Sequence, residues 1–184
     1  PDYVKIASPE LNHYPLLKRL SEFRARQSAL NETPVPVIVS SGVSTLSDIE
    51  KALEILGTEG VSLLHCITSY PAPEAEYNLR LIENLSRIFG VSAGVSDHSL
   101  DPVLVPVLSV LCRGTVVEKH ITLSRKTSGL DDPVALEGEQ FALMVHCVRQ
   151  CEAALNHYGS EEGRKRVISQ LEESYGAGKI SAVL

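Results

Sequence analysis

Short β-rich runs alternate five times with longer segments of helical period, and this alternation confines the chain to parallel strands joined by helical crossovers. The first run is YVKIAS, Tyr3 to Ser8, and the helix after it covers about Tyr14 to Leu30 with Leu16, Leu17 and Leu20 as its apolar stripe. PVIVSS, Pro36 to Ser41, predicts the second strand. Its helix starts at Ser44 or Thr45, where Asp48 can cap the end and complement the dipole, and it stops at Gly57. VSLLHC, Val61 to Cys66, leads through the Pro-rich loop TSYPAPEAEY to a helix over about Asn78 to Phe89. VSAGVSDHS, Val91 to Ser99, precedes a helix near Pro102 to Cys112. GTVVEKHIT, Gly114 to Thr122, precedes a polar loop and a long helix from about Glu137 to Asn156.

The chain has 184 residues, 43% hydrophobic and 22% charged, which fits one folded domain and not a disordered chain. No stretch approaches the roughly 20 apolar residues of a membrane helix, and no secretory leader pattern opens the chain, so a cytoplasmic location and no membrane partner are expected. The net charge of -6, with dispersed Lys and Arg, argues against a nucleic-acid partner. Cys66, Cys112, Cys147 and Cys151 form no CxxC pair and read as reduced core thiols. The basic run GRKRV near Arg164 reads as a solvated helix face balanced by Glu161, Glu162, Glu172 and Glu173.

In wound α/β folds the βα loops at the C-terminal strand ends carry the chemistry. Polar residues collect there: Ser8 and Glu10, then Ser40 and Ser41, Thr68 and Tyr70, Ser96 and His98, and finally His120 and Thr122. Strand side chains alternate with period two, so Ser96 shares a face with His98, and Glu118 with His120 and Thr122. Two imidazoles ending neighbouring strands suit a divalent metal such as manganese or zinc, with positions left for water and substrate. Spacing alone equally allows a pair of buried, hydrogen-bonded histidines.

Lys5, Ser8, Ser40, Ser41 and Ser96 offer one cation and several hydroxyls, as a phosphate or carboxylate requires. Ser40, Ser41 and Ser44 could instead cap a helix. Lys5 stands in an otherwise apolar strand and must reach solvent or a partner. Tyr70, in SYPAP, could hold its ring over a pocket, although packing on its own loop is the plainer reading. Asp131 and Asp132 follow a glycine in SGLDDP and read first as a solvated turn.

Taken in order, VKIAS, IVSSGVSTLSDIEKALE, LLHCITSYPAPEAEYNLRLI, VSAGVSDHSL and VVEKHITL resemble the N-acetylneuraminate (sialic acid) synthase family, which includes the pseudaminic and legionaminic acid synthases. HCxxxYPAP with its following NLR, SDH and EKHIT are specific together, and the likeness runs from about Tyr3 to Val145. The resemblance implies a (β/α)8 TIM-barrel fragment comprising strands four to eight with their helices. Residues 1–158 would form the partial barrel, and residues 159–184 a C-terminal helix and linker. It implies a catalytic two-histidine site at His98 and His120 for a divalent metal, Mn2+ first, with Mg2+ or Co2+ as alternatives. Lys5, Ser8, Ser40 and Ser96 match phosphoenolpyruvate-binding positions. Tyr70 and Asp131 match amino-sugar contacts, and Thr68 joins the substrate-binding set.

The reaction so implied condenses phosphoenolpyruvate with an N-acetylamino sugar, N-acetylmannosamine or a related diamino sugar, to give a nonulosonic acid and phosphate. Three departures bear on the sugar. Thr68 stands where some members carry Asn, Asp101 stands where Gly commonly follows SDH, and SGLDD replaces GPDH in a form closer to the pseudaminic acid synthases. The chain opens at Pro1, the early-barrel acidic, Lys and Gln residues have no counterpart, and ESYGAGKISAVL resembles the linker toward an absent small domain. A fragment is therefore expected, inactive alone, forming a homodimer or joining a chain that supplies the missing strands, because five strands leave two sheet edges. A half-barrel serving as a non-catalytic assembly module is the alternative, and another phosphoenolpyruvate-condensing or aldolase-type barrel a weaker one.

Overall fold

Five strands, β1 (Val4–Ile6), β2 (Val37–Ser40), β3 (Val61–Cys66), β4 (Ser92–Asp97) and β5 (Val117–Lys119), pair in parallel and in sequence order. The computed structural model describes residues 2–157 together with Ser169. A doubly wound sheet reverses its strand order at a switch point, and none occurs here. Right-handed crossovers with unreversed order put every helix on one face, which is how a barrel wall is laid down.

The wall is curled. In a flat sheet the first and fifth strands would lie roughly 19 Å apart, four strand spacings. Yet Lys5 Nζ on β1 comes within 3.5 Å of Glu118 Oε1 on β5. Two side chains cannot cover that span unless the strands curve toward each other. The result is a half-barrel whose edge strands β1 and β5 each have one partner among the described residues.

Alternation sorts the strand residues. Ile6, Val37, Val39, Val61 and Leu63 point outward into a core with Leu17 and Leu20 of α1 (Tyr14–Ala29) and Ile49, Ala52 and Leu53 of α2 (Leu46–Leu56). Ala93 and Val95 pack outward with Tyr77, with Ile82 of α3 (Leu81–Phe89) and with Val105 of α4 (Leu104–Leu111). The final helix, α5, spans Gly138–His157. The opposite parity faces the concave side, and there the polar residues stand.

Local chemistry explains the element ends. Thr45 caps α2 in a reciprocal box with Asp48, as the sequence predicts. Asn78 takes a left-handed φ of 45°, so α3 begins at Leu81 and not at Asn78. Asp101 accepts from the backbone N–H groups of Val103 and Leu104, both at 2.7 Å, in the turn ahead of α4, which begins at Leu104 and not at Pro102. Pro106 sits in the first turn of that helix, where its missing N–H has no intrahelical partner to lose. β5 is shorter than Gly114 to Thr122. Beyond Lys119 the chain leaves β4 and exchanges backbone bonds with Leu136, which donates to His120 O and accepts from Thr122 N, each at 2.9 Å.

Arg24 ties the barrel's lower end together. Its buried guanidinium donates to the carbonyls of Val35, Leu56 and Glu59 at 3.1, 2.9 and 2.5 Å. Among the described residues no helix is long and apolar enough to cross a membrane. Apart from Ser169, the expected helix and linker of residues 159–184, with the basic run near Arg164, lies outside the described residues.

Candidate active site

The concave face opens at its C-terminal rim into a cavity of about 420 Å³ lined by Lys5, Ser8, Ser40, Thr68, Tyr70, Ser96, His98 and His120, together with Cys66 and Glu118. All eight nominated residues among these meet at one place. Asp131, the ninth, stands at the rim with Oδ2 3.6 Å from His120 Nδ1.

The two histidines differ. His98 is buried, and its Nδ1 lies 2.6 Å from the carbonyl oxygen of Ile67. A carbonyl only accepts, so Nδ1 carries the proton and Nε2 keeps its lone pair. That Nε2 faces the hydroxyls of Tyr70 and Ser96, each at 3.2 Å. Burial holds His98 below its ordinary value of 6.5, the nearby His120 adds to the depression, and the Ile67 bond opposes it. The ring is thus neutral near pH 7 with one lone pair aimed into the cavity.

His120 lies 5.5 Å from His98 between ring centroids, tilted by 53°, and its side chain is 31% exposed. The reading of two buried histidines therefore suits His98 but not His120. A metal-bound imidazole characteristically donates its other N–H to a carbonyl, which is the arrangement at His98. The donor set fits a divalent ion held by two imidazoles. Among the described residues no cluster of three or more His, Cys, Asp or Glu could hold a metal, so water or substrate oxygens would fill the remaining positions.

Tyr70 does not pack away on its loop. Its ring stacks on His98 at 4.2 Å and meets His120 edge-on at 5.6 Å, so the SYPAP loop carries it over the cavity. Burial raises its phenol above the ordinary value, and the negative charge of Asp131 and Glu118 adds to the shift.

The other side suits an anion. Lys5 reaches Glu118 at 3.5 Å and donates to Ile6 O at 3.2 Å, which answers how a lysine sits in an apolar strand. Ser40 Oγ is buried and has no hydrogen-bond partner, an orphan hydroxyl beside that cation. Ser8 Oγ accepts from Val43 N at 3.2 Å. Gly42, with φ 37°, is required beside it, because a Cβ there would fall 1.7 Å from Ser8 Oγ. The helix-cap alternative does not apply to Ser40 or Ser41. Ser41 Oγ donates to Leu64 O at 3.1 Å, and Thr45 caps the helix.

Glu118 has no assigned role in the sequence reading, although period two places it with His120. It accepts from Ser96 Oγ at 2.7 Å and pairs with Lys5, linking both sides of the cavity. Burial pushes the Cys66 thiol up, so it stays protonated in the cavity wall. All four cysteines are free, but only Cys66 is fully buried, and Cys112, Cys147 and Cys151 are half-buried. Thr122 leaves its expected face, because its hydroxyl donates to Asp132 Oδ1 at 2.7 Å beyond the end of β5.

Comparison with known proteins bears on the family and the fold. Residues 1–160 match the NeuB family. An N,N'-diacetyllegionaminic acid synthase of Campylobacter jejuni is 32% identical over 156 residues, covering 82% of this chain and 43% of the relative. The crystal structure of the Bacillus subtilis spore coat polysaccharide biosynthesis protein SpsE is 35% identical with a TM-score of 0.72, covering 83% of this chain and 41% of that one. A Leptospira borgpetersenii N-acetylneuraminic acid synthetase, solved with citrate, is 28% identical with a TM-score of 0.75, over 95% of this chain and 58% of that one. The chain spans about two fifths of the length of the curated relatives it matches.

Proposed function

The chain belongs to the NeuB family, and on that premise we propose that it carries the metal-binding and phosphoenolpyruvate-binding half of a nonulosonic acid synthase site. One observation supports this most. His98, its Nε2 turned to Tyr70 and Ser96, and His120, 5.5 Å away between ring centroids, line one cavity with Lys5 and the unpartnered hydroxyl of Ser40. A cation, an unpartnered hydroxyl and two imidazoles in one cavity suit an anionic donor meeting a carbonyl acceptor.

In this reading Lys5, Ser8, Ser40 and Ser96 bind and orient phosphoenolpyruvate through its carboxylate and phosphate. His98 and His120 hold a divalent metal, Mn2+ with Mg2+ or Co2+ as alternatives, which supplies Lewis acidity toward the sugar carbonyl. Tyr70, Thr68 and Asp131 position the N-acetylamino sugar. C3 of phosphoenolpyruvate attacks the aldehyde carbon, water adds at C2, and the C2–O bond to phosphate breaks, giving a nonulosonic acid and inorganic phosphate. The sugar is N-acetylmannosamine or a related diamino sugar, the latter favoured by the SGLDD loop that carries Asp131.

The chain alone is proposed to be inactive, because one wall of a barrel does not enclose two substrates from water. Activity then needs a second copy or a chain supplying the remaining strands, acting in the cytoplasm. The test is phosphate release from phosphoenolpyruvate with N-acetylmannosamine and Mn2+, run on the 184-residue chain. No turnover is expected. Turnover by the chain alone would overturn the claim of inactivity, and failure of phosphoenolpyruvate to bind in calorimetry would remove the donor-site reading.

The open edges of β1 and β5 favour a second reading, a half-barrel that serves assembly without catalysis. It requires stable self-association with neither metal nor phosphoenolpyruvate bound.

A further inference from the structure

We propose that Tyr77, Asp97 and Lys119 form a positioning unit, on the face of the sheet opposite the cavity, that fixes His98 and His120 relative to each other. The inference deepens the reading of the histidine pair and rests on it for its functional meaning. Asp97 and Lys119 are direct partners on the last rung between β4 and β5, and each immediately precedes one of the two histidines. Side chains alternate along a strand, so anchoring one residue on the outer face orients the next on the inner face.

The unit is dry and densely bonded. The Asp97 and Lys119 side chains are 0% and 1% exposed and meet at 2.7 Å. Lys119 Nζ also donates to Ser99 O at 2.5 Å and to Ser99 Oγ at 3.3 Å. Asp97 Oδ1 accepts from Tyr77 OH at 2.9 Å and from Ser99 N at 2.8 Å. Tyr77 OH in turn accepts from the backbone N–H of His98 at 2.7 Å. The His98 carbonyl is held as well, by Ala72 N at 3.0 Å in the loop that carries Tyr70.

A buried ion pair adds little net stability over an apolar pair of similar size, because desolvating both charges offsets their attraction. What it adds here is direction. The strand pairing of β4 ends at Asp97, and the bonds of this unit continue the fixation one residue further, to the backbone of His98. No residue of the unit lines the cavity, so its action passes through the histidines.

The test compares the 184-residue chain with Tyr77→Phe, with the double variant Asp97→Leu and Lys119→Met, and with Arg24→Leu as a destabilised control away from the site. Two readouts are taken: the tautomer of His98 from imidazole nitrogen NMR, and Mn2+ affinity by calorimetry. A single Nδ1–H tautomer is expected in the parent and the control. Tautomer averaging and a Kd about tenfold or more weaker are expected in Tyr77→Phe and in the double variant. An unchanged tautomer and unchanged affinity in folded Tyr77→Phe would overturn the proposal whatever the double variant does. Absence of Mn2+ binding by the parent would defeat the metal reading alone, and the tautomer comparison would then decide the positioning claim.

Discussion

Asp131 and Asp132 are adjacent carboxylates with unrelated partners. Asp132 is the hub of its turn, accepting from Thr127 Oγ1, from Thr122 Oγ1 and from Gly129 N, and these bonds, that of Thr127 first, hold its carboxyl below the usual range. Asp131 points the other way, to His120. A turn signature in sequence cannot say which of two neighbours faces the cavity, and only the resemblance distinguishes them. The pair Lys5 and Glu118 was half legible: an unpaired lysine in a strand demands a partner, but the partner lies 113 positions away and becomes visible only when the sheet curls. Lys5→Met should weaken phosphoenolpyruvate binding in calorimetry by about tenfold or more, since a charge-assisted contact is lost. Unchanged affinity would separate Lys5 from the donor site.

His65 makes a prediction of its own. It is buried on the outer face, 2.5 Å from Tyr77 O, and burial lowers its pKa below 6.5 while that bond opposes the shift. A histidine with a depressed folded pKa binds its proton more readily when unfolded. Its contribution is therefore fully present above pH 6.5, and stability falls as pH drops from there through the folded pKa. Thermal melts from pH 8 to pH 5 should show this loss, and His65→Gln should show less of it. An equal acid-side loss in the variant would clear His65.

At the scale of elements, periodicity made all five strands and five helices legible, because each buries one stripe against its neighbours. The boundaries that shifted did so for reasons periodicity does not encode. A left-handed Asn78 delays α3, and an exchange of backbone bonds with Leu136 ends β5 early. Arg24 was not legible either, since an arginine at an apolar helix position reads as a snorkelling surface residue until its three carbonyl acceptors are placed. Arg24→Leu should lower stability in urea denaturation by about 2–4 kcal/mol, with carbonyls left unpaired. Arg24→Lys should fall between, because an ammonium cannot reproduce the planar fork. Parent-like stability in Arg24→Leu would show that water replaces these bonds at no cost.

For the whole molecule, sequential strand order and curl produce half of a barrel wall with chemistry on its concave side. The flanks of the two edges expose apolar groups, among them Tyr3 and Phe23 beside β1 and Ile121 and Leu123 beyond β5. Concentration-dependent association in sedimentation velocity is expected, shifted toward monomer by Tyr3→Lys with Phe23→Lys. A monomeric parent at all concentrations would argue against assembly through the edges.

The central claim, a metal site already built into this half-barrel, is tested most directly by Mn2+ calorimetry on the chain and on His98→Ala and His120→Ala. The account predicts one site per chain in the parent, lost in both variants, because two imidazoles supply its protein donors. Binding that survives either substitution, or no binding in the parent, would contradict it.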